Sequence, residues 1–245
     1  MKIALFDCFS GASGDMILGA LLDAGMPLAE LRKGLGKIKL KGYALSARKE
    51  SRRGIAGTRF SVSVRPQKAA CHLADILKLI RGSSLPAPVK ADAASVFERI
   101  GRVESKIHRI PLEKVHFHEI GAVDSILDIV GSCHAVHFLG LKRIYFTPPA
   151  LGSGWARTAH GTFPVPAPAT AALLKGIPAR WGKPSPGEWT TPTGAALLAH
   201  FGECAGDMPE ITAQAVGYGV GAAEYEGHPN VLRGVLGSLS RQAKS

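Results

Sequence analysis

The sequence predicts a mixed α/β (α+β) fold, one compact unit with a basic β-hairpin lobe, and three patterns lead to that reading. Residues 2–7 form a short apolar run that passes through a small-residue turn into an apolar helix from about 14 to 24, the strand–turn–helix opening of α/β folds. Residues 43–50 and 56–65 alternate in polarity, with Phe60, Val62 and Val64 on one face, as strands of a hairpin do. Val89, Ala93, Val96, Ile100, Val103 and Ile107 recur at helical spacing after Pro86, which predicts a long amphipathic helix ending before Pro111.

The remaining elements follow in order. A helix is expected at 27–37, then the hairpin, which turns at Ser51-Arg52-Arg53-Gly54-Ile55 within a lobe of about 40–68, and a short helix at 72–81. A helix should start near Ile120 and reach about Leu139, with His134 and His137 in structural roles. A strand at 143–146 leads to Pro148-Pro149, and the proline-rich run 164–168 to a helix at about 166–175, after which 176–188 read as a connection. Thr191 and Pro192 open another helix, with a hydroxyl at the cap and proline at the first position. Glycines 217, 219 and 221 leave one face of a late strand bare for backbone or ligand. The strand 230–236 completes a single domain over 1–237, with 238–245 as a mobile polar tail.

Composition narrows the class. A chain of 245 residues with 46% hydrophobic content supports a substantial core. Cys8, Cys71, Cys133 and Cys204 are scattered with no C-x-x-C pair, which suits a reducing compartment, and no signal peptide or run of about 18 apolar residues is visible. A cytoplasmic location is therefore expected. The net charge of +11 lies entirely in residues 32–68, where twelve basic side chains face one acid, Glu50. That asymmetry suits a polyanionic partner or a merely solvated face; with only Tyr43 and Phe60 interleaved, a nucleic-acid stacking platform is poorly supported.

The densest chemistry lies in Val115-His116-Phe117-His118-Glu119-Ile120-Gly121-Ala122-Val123-Asp124-Ser125-Ile126-Leu127-Asp128. His116 and His118 point the same way on an extended backbone, and Asp124 and Asp128 lie one turn apart on a helix. Gly121, Gly131 and Ala135 share the acids' face, leaving room for something to approach. Imidazoles and carboxylates at this spacing suit a divalent metal such as Zn, Ni, Mn or Fe, against the alternative that they are structural. The turn from Cys8 to Asp15 offers Gly11, Ser13, Gly14 and Asp15 at a helix N-terminus, a candidate anion site or simply a cap. Asp7 ends the first strand, where α/β sheets gather functional groups. His160, Thr191 and Thr193 are further candidates.

Taken together, Leu5-Phe6-Asp7-Cys8-Phe9-Ser10-Gly11-Ala12-Ser13-Gly14-Asp15-Met16, the 115–128 stretch, His160-Gly161-Thr162-Phe163-Pro164-Val165-Pro166-Ala167-Pro168, Thr190-Thr191-Pro192-Thr193-Gly194-Ala195 and Pro229-Asn230-Val231-Leu232 resemble the LarC family of nickel insertion proteins. The resemblance implies a nickel chelatase of the lyase class, which inserts nickel into pyridinium-3,5-bisthiocarboxylic acid mononucleotide with CTP and a divalent ion, Mn or Mg. The product is the nickel-pincer nucleotide cofactor of lactate racemase. On this reading His116, His118, Glu119, Asp124 and Asp128 hold metal, and His118, Glu119 and His160 serve catalysis. Asp7, Gly11, Ser13, Gly14, Asp15, Thr191 and Thr193 meet the nucleotide or its ion. Family members usually continue into a C-terminal domain associated with the triphosphate, which implies a separate chain supplying it here. They also often carry a histidine-rich segment where this chain keeps only His72. The rival readings are a non-catalytic metal- or nucleotide-binding half that needs a partner chain, a nucleic-acid-binding module and a metallohydrolase. No G-x-S-x-G or H-E-x-x-H is present to favour the last.

Overall fold

The computed structural model describes residues 1–65, 72–117, 122–182, 185–206 and 208–240. The chain runs β1 (Lys2–Asp7), α1 (Gly14–Asp23), α2 (Leu28–Leu35), β2 (Tyr43–Arg52), β3 (Ile55–Val64), α3 (Leu73–Arg81), α4 (Ala87–His108) and α5 (Val123–Phe138). It continues through β4 (Arg143–Phe146), β5 (Gly152–Ser153), β6 (Trp155–Thr158), β7 (Gly161–Pro164), α6 (Pro168–Leu173), β8 (Gly187–Glu188), α7 (Pro192–Phe201), β9 (Gly202–Cys204), β10 (Ile211–Val220) and β11 (Val231–Leu239). Seven strands make one mixed sheet in the order β2-β3-β10-β11-β1-β4-β9. The pairs β5/β8 and β6/β7 stand apart from it as two small ribbons.

One face of this sheet holds the core. Phe6, Ile144 and Gly234 point toward α1, α5 and α7, where Phe6, Ile17, Val136, Ile144, Leu197 and Leu198 meet. Behind α5, helix α4 buries Val89, Ala93, Val96, Phe97 and Ile100 completely, the face that its spacing announced. At about 1.5–3 kcal/mol for each large apolar side chain buried, that stripe outweighs the weak intrinsic propensity of its β-branched residues.

Several boundaries move for physical reasons. The hairpin expected as a lobe is the edge of the main sheet, because β3 pairs with β10 at Thr58 and Gly219. Its turn contracts to Arg53-Gly54, both at positive φ (49° and 83°), the backbone hand that lets two strands close on two residues. The last strand runs to Leu239, since Ser238 still pairs with Lys2 and Thr212, so residues 238 and 239 belong to the sheet and not to the tail expected there. Helix α6 is shorter than expected, and α5 begins at Val123, with residues 118–121 outside the described chain.

The bare strand near the end serves packing. A Cβ on Gly219 would lie 1.8 Å from the Met16 carbonyl oxygen, and one on Gly217 2.3 Å from the Ala24 nitrogen. Helix α1 therefore rests its backbone directly on β10, and protein fills the space where a ligand was one expectation. Gly131 is likewise filled: its missing Cβ would sit 3.0 Å from a Leu18 methyl, and Ala135 is fully buried. Gly219→Ala is expected to cost about 3 kcal/mol or more, at or above the usual range for overpacking, because the clash is with backbone. Urea unfolding of the variant against wild type measures it.

Candidate functional site

The turn after β1 is the pivot of the site. Gly11, at φ 80°, lets the turn pass so close to Trp189 that a Cβ would fall 2.2 Å from the Trp189 carbonyl oxygen. Gly194 presses on Ala12 (2.1 Å to its oxygen) and Gly14 on Asp128 (2.7 Å to its Cβ). Ser10 is fully buried; its hydroxyl donates to the Pro229 carbonyl at 2.5 Å and lies 2.8 Å from His228 Nε2. The His228 ring stacks on Trp189 at 4.1 Å, and burial pushes its pKa down. Gly11 and Gly14, expected to approach a cofactor, thus spend their missing side chains on protein contacts.

This packing brings the N-termini of α1, α5 and α7 around one cavity of about 370 Å³. Ser13, Asp15, Asp124, Asp128, Thr191 and Thr193 line it, six residues selected from distant parts of the sequence. Arg59 and Glu188 join them. Each helix end is already answered by its own side chains. Asp15 Oδ1 accepts from the Met16 N–H at 2.9 Å and from the Ser13 hydroxyl, and Asp124 Oδ1 accepts from the Ser125 N–H at 2.8 Å. Thr191 caps α7 by accepting from Gly194 N at 3.3 Å, and its hydroxyl lies 2.9 Å from that of Thr193. Ser13 stands at the cap position of α1, yet its side chain serves Asp15 instead of a backbone N–H.

The acids are electrostatically crowded. Burial pushes the Asp128 carboxyl well above the usual carboxylate range, and the charges of Asp15 and Asp124 push it further, against one backbone hydrogen bond from Asp15. Burial raises Asp15 as well, opposed by the Ser13 hydroxyl, the Met16 N–H and the Arg59 charge. Arg59 itself is held by the Gly221 carbonyl at 3.0 Å and by Glu50 at 4.0 Å. Carboxylates outnumber the single cation on this wall, which gives the cavity an acidic lining interrupted by Arg59 and the hydroxyls.

His116 and His160 line a second, more apolar pocket of about 100 Å³ that shares Pro192 with the first. Phe117, Phe163 and Ile107 form its walls, and Glu104 and His108 join the two imidazoles. His108 Nε2 lies 3.2 Å from Glu104 Oε2, and its ring is 4.6 Å from that of His160. His160 sits in the tight turn between β6 and β7, where its N–H donates to Thr158 Oγ1 at 3.1 Å. His116 faces His72 at 4.9 Å.

The other candidates fall elsewhere. Asp7 lines neither pocket: it pairs with Arg233 and accepts from Thr147 Oγ1 at 3.1 Å, tying β1 to β11. His118 and Glu119 lie outside the described residues. Among the described residues no group of three His, Cys, Asp or Glu side chains is arranged to hold a metal. His134, bonded to the Glu30 carbonyl at 3.2 Å, and His137, paired with Asp92, serve helix packing as expected. Sequence reading missed Arg59, Glu188, Glu104 and His108. Only the last two carried a local signal, an acid and a histidine four apart on one helix.

Fold and cavity together define an α/β protein whose acid-lined site is built at converging helix N-termini. The chain belongs to the nickel insertion protein family, which it matches over residues 4–245. It is 47% identical over 240 residues to a relative from Syntrophobacter fumaroxidans, 45% over 243 residues to one from Geobacter sulfurreducens and 43% over 239 residues to one from Dictyoglomus thermophilum, all three provisionally named as nickel insertion proteins. Those alignments take in 98% of this chain each and 61%, 62% and 61% of the relatives, so the chain spans under two thirds of their length. No solved structure matches it. No helix among the described residues is long and apolar enough to cross a membrane.

The crowded acids make a stability prediction. A carboxyl raised by folding keeps its proton in the folded chain when the unfolded chain has lost it, so stability falls as pH rises from about 3.9 through the raised value. Metal-free Asp128→Asn should therefore melt above wild type near pH 8 and level with it near pH 4. Thermal melts at the two pH values check the crossover.

Proposed function

We propose that this chain carries nickel in the acid-lined cavity and takes part in its insertion into pyridinium-3,5-bisthiocarboxylic acid mononucleotide, the CTP-dependent step that makes the nickel-pincer nucleotide of lactate racemase. One observation supports this above the rest: Asp15, Asp124 and Asp128 share a cavity with Ser13, Thr191 and Thr193 in a member of the nickel insertion family. Nickel is the cargo and takes the carboxylates, with His116, His118 and Glu119 of the adjoining segment as further ligands. The substrate phosphate meets the hydroxyls of Ser13, Thr191 and Thr193 and the Arg59 guanidinium. The ring lies in the apolar pocket between Phe117 and Phe163. As the nickel–carbon bond forms, the ring C–H proton passes to an imidazole, His160 or His118, and from it to Glu119.

The triphosphate and its Mn or Mg ion fall to the part of the relatives that lies outside the matched region, and the work is cytoplasmic. A carrier half that hands nickel to a partner chain is the rival.

Nickel binding to the metal-free chain, followed by equilibrium dialysis, should be stoichiometric and should weaken at least about tenfold in Asp15→Asn/Asp128→Asn. It should also weaken as pH falls, because the carboxylates must give up their protons to bind. His160→Ala should keep the nickel and lose product formation when CTP and a separately expressed C-terminal domain are added. No nickel binding in wild type, or binding unchanged in the double variant, would sink the cavity assignment. Product formed by the chain alone removes the carrier reading.

A further inference from the structure

We infer that the free edge of β2 is a docking strand for an acidic, extended segment of a protein partner. β2 is ten residues long, stands at the end of the seven-strand sheet and, among the described residues, pairs only with β3. In a hairpin closed by a two-residue turn the pair nearest the turn, Arg52 and Ile55, is hydrogen-bonded, and the alternation of antiparallel ladders then turns every second N–H and C=O outward. Ala47, Lys49 and Ser51 therefore offer their backbone groups at the free edge. Leu45 belongs to the same set, and its carbonyl indeed accepts from outside the ladder, from Arg32 Nη2 at 3.1 Å. An open row of backbone donors and acceptors is what an incoming strand pairs with.

Charge selects the strand. Residues 32–68 hold the whole net charge of the chain, and the local acids are already committed: Glu30 to Lys33, Asp23 to Lys49 and Glu50 to Arg52 and Arg59. Asp23 shows how firmly. Burial alone would raise its pKa, yet bonds from Lys49, Thr58 and the Tyr218 N–H bring it down. Among the described residues no acid pairs with Lys37, Lys39, Arg48, Arg53 or Arg65. Arg48 and Arg53 are exposed on the open strand and its turn. These cations repel a second copy of the same edge, which keeps the chain from pairing with itself, and attract an acidic one. Nucleic acid is the poorer fit: Phe60 is fully buried and Tyr43 half-buried, so bases have no platform on which to stack.

The test uses the full chain and a fluorescent ten-residue peptide of alternating Glu and Val, read by anisotropy. Saturable binding is expected, falling steeply as salt rises past the point where exposed charges are screened. Arg48→Glu/Arg53→Glu should weaken it at least about tenfold, and so should Ala47→Pro, which removes an outward N–H and leaves the β2–β3 ladder intact. Hydrogen exchange on the wild-type chain should show the amides of Ala47, Lys49 and Ser51 gaining protection when peptide is added. That measurement decides the matter if Ala47→Pro fails to fold. No peptide binding, no gain in protection at those amides, or binding lost on charge reversal but untouched by a folded Ala47→Pro would each overturn strand addition. Tighter binding of a single-stranded oligonucleotide or of anionic lipid vesicles than of the peptide would overturn the choice of partner.

Discussion

The close passage of the turn between β1 and α1 is the contact on which the rest of the structure depends. At Gly11, Gly14 and Gly194 the backbone runs where a methyl group would meet Trp189, Asp128 or Ala12 at under 3 Å. At Gly11 and Gly194 the neighbour is backbone, which cannot yield as a flexible side chain does, and at Gly14 it is the root of the Asp128 side chain; together the three contacts fix the starts of α1, α5 and α7 relative to one another. The Ser10–His228–Trp189 arrangement locks the same turn from below through a buried hydroxyl and a stacked ring. On the other side, Gly217 and Gly219 lay α1 flat on β10, so the sheet carries the turn rigidly.

The chemistry of the cavity follows from that geometry. Three helix starts pointing at one space would ordinarily invite an anion. Here Asp15, Asp124 and Thr191 accept from their own helix ends, and Asp128 accepts from the start of α1, so the positive ends are largely spent on protein carboxylates and hydroxyls. What remains is a wall of acids too close together to ionise without cost. Arg59 is the counterweight, delivered by β3 because the hairpin belongs to the main sheet. The histidine pocket shares Pro192 with this cavity, so the imidazoles and the carboxylates line two neighbouring spaces and form no single cluster.

The basic hairpin joins the two themes. Its inner strand walls the cavity with Arg59, Phe60, Ser61 and Val62, while its outer strand ends the sheet in an exposed, cationic edge. A partner pairing with that edge would press on the strand that lines the site.

Much of this was readable in the sequence. The strand–turn–helix start, the long helix over Val89 to Ile107 and the alternating hairpin are local patterns, set by side-chain periodicity and turn chemistry, and they fold as read to within a few residues. So was the inventory of acids and imidazoles, since chemistry-bearing side chains can be counted without knowing where they point. What stayed hidden was the use of space. The bare faces at Gly217, Gly219 and Gly131 looked open for a ligand, and only packing showed that α1 fills them, because a missing side chain signals close approach without saying what approaches. Asp7 looked like a site residue by its place at a strand end, and Arg233, 226 residues away, claims it. Arg59 was one cation among twelve. The sequence by itself determined the elements and the inventory of acids and imidazoles; the tertiary structure alone decided which acids share a cavity, because that depends on contacts between segments more than a hundred residues apart.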